Sequence, residues 1–204
     1  MSNQKIETDE IEKIIQFFLY SEGLKTELRD LWLSSGEQES TAEHSWRMAL
    51  MVMIIVPKLT KLKVNLEKTM KIALIHDLVE IDAKDTPLFD HFDNDDIKAD
   101  KKEREERAMR NIEKLLGTDS KEISDLWHEY EDQTTDEARV VKAIDKLEGR
   151  FQYIADDTKT FSEDDLKKFP AVRGKLSEYC SIDPFLAQLD KQSTSRRKPK
   201  ERSK

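Results

Sequence analysis

Ala73-Leu74-Ile75-His76-Asp77-Leu78-Val79-Glu80 combines two things that rarely occur together. Its apolar positions recur at helical spacing, yet an imidazole and two carboxylates sit among them. On a continuous helix, positions 73, 76, 77 and 80 share a face, so His76, Asp77 and Glu80 are expected to look into one space. Burying such groups is costly unless something pairs with them. A divalent cation would satisfy the adjacent nitrogen and oxygen, with Glu80 one turn away.

On either side of this segment the chain reads as further helices. Residues 8–22 carry Ile11, Ile14, Ile15, Phe18 and Leu19 at helical spacing, and residues 24–32 carry Leu24, Leu28 and Leu31. Ser34-Ser35-Gly36 breaks the pattern. Ser40-Thr41-Ala42-Glu43 then reads as a capping box that opens a long helix to about residue 61. Trp46 through Val56 is nearly all apolar, which suits a central core helix that Pro57 kinks or ends. The opening segment lies on a helix over 66–81, followed by an acidic, broken loop from Asp82 to Asp95. A charged helix to Leu116 closes on Gly117, and helical stretches follow over 120–131, 135–157 and 164–180. Only five glycines and five prolines occur in 204 residues, which disfavours a sheet-and-turn architecture. The expectation is an all-α bundle, one domain over residues 1–190, with a basic tail over 191–204.

Cys180 is the single cysteine, so no internal disulfide can form and a reducing compartment is expected. There is no apolar signal region and no apolar run of roughly 18 residues. The expected setting is cytoplasmic, without a membrane partner. Net charge is −8, but residues 191–204 hold seven basic side chains against Glu201, a net +6 that leaves −14 on the rest. A body that acidic is poorly suited to nucleic acid, whose binding rests on phosphate neutralisation.

Chemistry concentrates in a few positions. His44 follows the capping box in the first turn of the core helix, where it is either a core histidine bonded to backbone or a ligand. His91 and His128 lie in polar surroundings and read as surface residues. Asp145 interrupts the apolar run Val140-Val141-Lys142-Ala143-Ile144-Asp145-Lys146-Leu147. It needs a partner, either Lys142 or Lys146 or a metal. Together His44, His76, Asp77 and Asp145 supply two nitrogens and two oxygens from three helices. That set suits Mn²⁺, Fe²⁺, Co²⁺ or Zn²⁺ with positions left for water and substrate.

The order of these elements resembles the HD-domain superfamily of metal-dependent phosphohydrolases, and within it the YfbR-like and HD-domain-containing-2-like 5′-deoxynucleotidase branch. The matching strings are Ser40-Thr41-Ala42-Glu43-His44-Ser45, Ala73 to Glu80, and Val141-Lys142-Ala143-Ile144-Asp145-Lys146, with Leu24-Lys25 and Arg29 upstream. The resemblance spans about residues 10–160. It implies an HD-domain helical bundle with His44, His76, Asp77 and Asp145 as metal ligands and Glu80 as the residue needed for catalysis. It also implies Arg29 at the substrate phosphate and Asp85 at the substrate. The reaction it implies is hydrolysis of (deoxy)ribonucleoside 5′-monophosphates to nucleoside and phosphate, by a homodimer.

Three positions depart from the family pattern. Glu37-Gln38-Glu39 stands where relatives carry an arginine. Asp30 follows the phosphate arginine where the bacterial branch has tryptophan, and Trp32 comes two positions later. Lys84 replaces the glycine before Asp85. With Arg29, Lys84 and the metal as the phosphate contacts of an acidic body, one phosphoryl group is expected to suit the site better than a polyphosphate. Two alternatives stay open. One is another HD hydrolase, acting on an alarmone or a phosphodiester, which the Ile81 after Glu80 disfavours. The other is a non-catalytic HD-fold binding protein, which has no need of Glu80 or Arg29.

Overall fold

The computed structural model describes residues 8–87, 94–156 and 163–195. Helix α1 (Thr8–Ser21) and a 3₁₀ turn (Glu22–Lys25) lead into a hairpin of β1 (Leu28–Trp32) and β2 (Gln38–Ser40). Then come α2 (Thr41–Ile55), α3 (Leu66–Ile75), the single turn α4 (Glu80–Ala83) and the long α5 (Asp95–Leu116). Helices α6 (Lys121–Asp132), α7 (Asp136–Ala155), α8 (Glu163–Cys180) and α9 (Pro184–Ser195) complete the order. The molecule is all-α, and among the described residues its sheet is two short antiparallel strands. None of its helices among those residues is long and apolar enough to cross a membrane.

Helices α2, α3 and α7 meet at the centre. Met48, Val52, Ile72, Ala73, Val141 and Ile144 are fully buried there, the larger ones each contributing roughly 2 kcal/mol by leaving water. A second cluster packs Val79 and Ala83 against Ala108, Met109 and Ile112 of α5 and Trp127 of α6. The turn from α3 to α4 runs between the two clusters, and the polar residues of the opening segment sit on it. The capping box forms as expected: the Ser40 hydroxyl accepts the Glu43 N–H, and the Glu43 carboxylate accepts the Ser40 N–H at 2.8 Å.

Several elements differ from the sequence reading. Residues 24–32 are not a helix. Leu31 is buried while Leu28 is half exposed, so the leucine spacing that mimics a helix instead serves a strand. Leu28 pairs with Ser40 and Trp32 with Gln38, and the Leu33–Gly36 turn closes the hairpin with Gly36 at φ 93. Helix α2 stops at Ile55, where Pro57 lacks an N–H and a 3₁₀ turn (Val56–Lys58) takes over. In α1, Phe17 and Tyr20 face the second cluster, while Ile11, Ile15, Phe18 and Leu19 are exposed.

The helix expected over 66–81 breaks at Ile75. Leu78 N–H then bonds the Ile75 carbonyl and Glu80 N–H the Asp77 carbonyl, each at 3.0 Å, an i to i+3 pattern tighter than an α-helix. The His76 ring occupies the Ala73 carbonyl at 2.9 Å, the acceptor that an unbroken helix would offer to Asp77 N–H. Residue 190, the expected domain boundary, falls inside α9, where Leu186, Asp190 and Ser193 are buried. Residues 196–204, which hold most of the basic tail, and His91 lie outside the described residues.

Candidate active site and metal centre

Three elements far apart in sequence deliver the four expected ligands to one point. His44 comes from the first turn of α2, His76 and Asp77 from the tightened end of α3, and Asp145 from the middle of α7. His44 Nε2 lies 3.5 Å from Asp77 Oδ2 and 3.5 Å from Asp145 Oδ1. His76 Nε2 lies 3.3 Å from Asp77 Oδ2.

The other ring nitrogens settle the tautomers. His44 Nδ1 is 2.7 Å from Glu148 Oε2, and His76 Nδ1 is 2.9 Å from the Ala73 carbonyl. A carbonyl can only accept. Glu148 also accepts, because against its burial the bond to His44 holds its carboxyl below the usual range. Both Nδ1 atoms therefore donate, so each Nε2 presents a lone pair whenever its imidazole is neutral. These Nε2 atoms are buried and have no hydrogen-bond partner among the described residues. His44, His76 and Asp145 each offer a ligand atom within 4.8 Å of the others, a buried N/N/O set that a divalent cation would satisfy. Atoms bound about 2.1 Å from a common ion sit roughly 3–3.5 Å apart, the spacing found here. The cluster is compatible with a divalent metal, with Asp77 alongside it.

A layer of buried charge holds these ligands. Glu148 is fully buried and is bound in turn by Arg47 Nε at 2.6 Å, so the tautomer of His44 is locked from behind. Asp145 serves two partners at once. Its Oδ1 faces His44, while Oδ2 takes Lys146 Nζ at 2.9 Å and Tyr130 Oη at 3.3 Å. The salt-bridge reading and the ligand reading of Asp145 thus describe different oxygens of one carboxylate. Arg29 on β1 places Nη1 3.2 Å from Asp77 Oδ2 and Nε 3.3 Å from Glu39 Oε2. Glu39 is buried, and burial together with nearby Glu148 pushes its carboxyl up to about 7.

Beside the ligands lies a cavity of about 430 Å³, lined by Arg29, Asp77, Glu80, Asp85, Tyr130 and Asp145 among others. Glu80 is buried and accepts from Thr41 Oγ1 at 3.3 Å. Burial, then Asp77 and Asp85, raise its carboxyl well above the ordinary range. Its environment thus favours the protonated carboxyl more than water would.

A family model described as an HD domain matches residues 21–180. The chain belongs to the HD-domain family. It is 37% identical to "5'-deoxynucleotidase HDDC2" of Danio rerio over 141 residues, 68% of this chain and 66% of that protein. It is 32% identical to "5'-deoxynucleotidase hdd1" of Schizosaccharomyces pombe over 182 residues, 85% of this chain and 86% of that one. The match to the Danio rerio protein thus spans a little under two thirds of that relative's length. Among solved structures, a "Predicted metal-dependent phosphohydrolase" from Magnetospirillum magnetotacticum superposes with TM-score 0.75 at 29% identity, covering 92% of this chain and 94% of its own.

In this HD domain, not every expected substrate residue reaches the cavity. Arg29 and Asp85 line it; Trp32 and Lys84 do not. Lys84 Nζ is taken by Glu27 at 2.7 Å, and its backbone sits at φ 67, ψ 141, a region glycine enters freely and lysine does not. The expected scarcity of cations is overturned, because Lys98, Lys101, Lys102, Lys142, Lys146, Arg150 and Lys175 also line the cavity. Three of them could have been found. Lys142, Lys146 and Arg150 recur every four residues along the face of α7 next to Asp145. Lys101 could not, because the highly charged α5 reads as a solvated helix throughout. His128 is at the surface as expected, edge-on to Trp127 with Nδ1 2.8 Å from the Ser124 carbonyl.

Proposed function

We propose that this HD-domain protein hydrolyses (deoxy)ribonucleoside 5′-monophosphates to nucleoside and phosphate with the help of a divalent metal. The observation that carries the reading is the gathering of His44, His76, Asp77 and Asp145 behind a cavity whose wall holds Asp77, Asp145, Arg29 and Glu80. Relatives named as 5′-deoxynucleotidases support the substrate class. A bound metal would supply a water of lowered pKa and neutralise phosphoryl charge. Arg29, oriented by Asp77 and Glu39, would clamp the phosphate through its free donors. Glu80 would carry the proton to or from the reacting oxygens. Asp85, whose N–H is tethered to Glu27 Oε1 at 3.1 Å, is placed to accept from a sugar hydroxyl or to orient the water. Most of the newly found cations already hold carboxylates, so the preference for a single phosphoryl group stands.

The test is phosphate release over a panel of nucleoside mono-, di- and triphosphates and a phosphodiester, with Mn²⁺ or Co²⁺ added. Monophosphates are expected to turn over fastest, and Arg29→Ala to lower kcat/KM by about 30- to 150-fold, the scale of a lost charged hydrogen bond. Equal or better rates on a triphosphate, or an unaffected Arg29→Ala enzyme, would overturn the assignment. The reading also carries a homodimer in a reducing cytoplasm. Trp46, Leu50 and Met53 form an exposed apolar stripe along α2 that suits self-association, and Cys180 is a free buried thiol. Light scattering of the purified protein checks the dimer.

A further inference from the structure

The cations around the cavity differ in what they hold. Lys101 pairs with Glu105, Lys146 with Asp145, Arg150 with Asp190, and Arg29 with Asp77 and Glu39. Lys142 pairs with no carboxylate among the described residues, although it lies one helical turn before Asp145 on α7 and lines the cavity. Its Nζ donates to Tyr130 Oη at 3.1 Å and stands 4.3 Å from the centre of the Tyr130 ring. Tyr130 in turn donates to Asp145 Oδ2 and meets the His76 ring edge-on, with centroids 5.1 Å apart. The ammonium is therefore fixed beside the metal ligands by a phenol and a ring face, neither of which neutralises it. An ammonium has three donors, and the phenol uses one.

We propose that Lys142 is a substrate-binding residue whose ammonium takes a phosphoryl oxygen of the nucleotide on the α7 side of the metal, with Arg29 approaching from β1. This rests on the phosphohydrolase reading and adds to it a cation that its ligand and arginine assignments do not include. A dianionic phosphate would give Lys142 a direct ion-pair partner, where Glu131 and Asp145 act on it without an ion-pair contact. Burial, with Lys146 next along the helix face, lowers the pKa of Lys142, so an arriving anion would also favour its charged form.

The experiment measures binding of inorganic phosphate to Mn²⁺-loaded protein by calorimetry, alongside Mn²⁺ affinity and kcat/KM on a nucleoside monophosphate. Lys142→Met keeps the unbranched apolar stem over the Tyr130 ring and removes the charge; Lys142→Arg keeps the charge. Lys142→Met is expected to weaken phosphate binding at least about tenfold, the scale of one charged hydrogen bond, and to lower kcat/KM in proportion. Mn²⁺ affinity should stay within about twofold, and Lys142→Arg should recover part of the loss. Phosphate bound by Lys142→Met as tightly as by the parent would overturn the proposal. So would Mn²⁺ affinity lost in step with phosphate, since Lys142 would then be a support for Asp145, and so would parent protein that binds no phosphate. Phosphate binding that depends on Lys142, in a protein that does not cleave nucleoside monophosphates, would uphold the subsite and overturn the substrate assignment alone.

Discussion

Asp77 and Glu80, three positions apart, have their carboxyl pKa values moved in opposite directions. Against burial, His76, His44 and Arg29 lower Asp77, whereas burial with Asp77 and Asp85 raises Glu80. Such a division separates a ligand from a proton carrier. Glu80→Ala should therefore bind Mn²⁺ with the parent's stoichiometry in elemental analysis, while kcat falls roughly 10²-fold or more; normal turnover would make Glu80 a structural residue. Lys84 makes a different residue-scale case. Its glycine-like backbone stores strain of about 1–3 kcal/mol, against a solvent-exposed ion pair to Glu27 that is worth well under 1 kcal/mol. Lys84→Gly should accordingly gain about 1 kcal/mol of stability in urea denaturation, after allowance for the greater freedom of glycine in the unfolded chain. The departure from the family's glycine was visible in the sequence; its backbone cost was not.

At the level of elements, the buried carboxylate of Asp183 ties the loop after α2 to the start of α9. It accepts Lys61 N–H at 2.6 Å, Leu62 N–H at 3.1 Å, Thr60 N–H at 3.0 Å and Phe185 N–H at 2.8 Å. Burial opposes ionisation, but these backbone donors outweigh it and depress the folded-state pKa. The stabilisation is thus complete above the unfolded pKa of about 3.9 and fades as pH falls through the lower folded value. Asp183→Ala should cost about 3 kcal/mol at pH 7 by chemical denaturation, and the gap to the parent should narrow below pH 4. A gap unchanged at pH 3 would mean that the cost is one of packing rather than charge. The break of α3 at Ile75 is an element-scale effect too, because the ring of His76 takes the Ala73 carbonyl that Asp77 N–H would use in a continued helix.

For the molecule as a whole, the proposed metal site would join three helices that otherwise meet through apolar packing. Ligand binding stabilises a fold by about 2.7 kcal/mol at a hundredfold excess over Kd, which in a chain of this size corresponds to roughly 5–10 °C in Tm. Chelation should lower the Tm of Mn²⁺-loaded protein by that amount, and an Asp145→Ala variant should show little response to chelator or added metal. A parent Tm indifferent to both would remove the metal site.

The helical class, the capping box on α2 and the four polar groups proposed as ligands were legible in the chain, because each is a local anomaly: a polar group inside an apolar helical period, or a cap at fixed spacing. Leu24, Leu28 and Leu31 misled because helical spacing does not reveal a backbone that pairs with Gln38–Ser40 instead. The tautomers of His44 and His76 depend on Glu148 and the Ala73 carbonyl. The two roles of Asp145 depend on which oxygen each neighbour reaches. The position of Lys142 against Tyr130, while Lys101, Lys146, Arg150 and Arg29 hold carboxylates, is a matter of which neighbours each cation reaches. Those outcomes rest on distances between α2, α3, α5 and α7, and the Coulomb and hydrogen-bond energies that assign protons and partners act through space rather than along the chain.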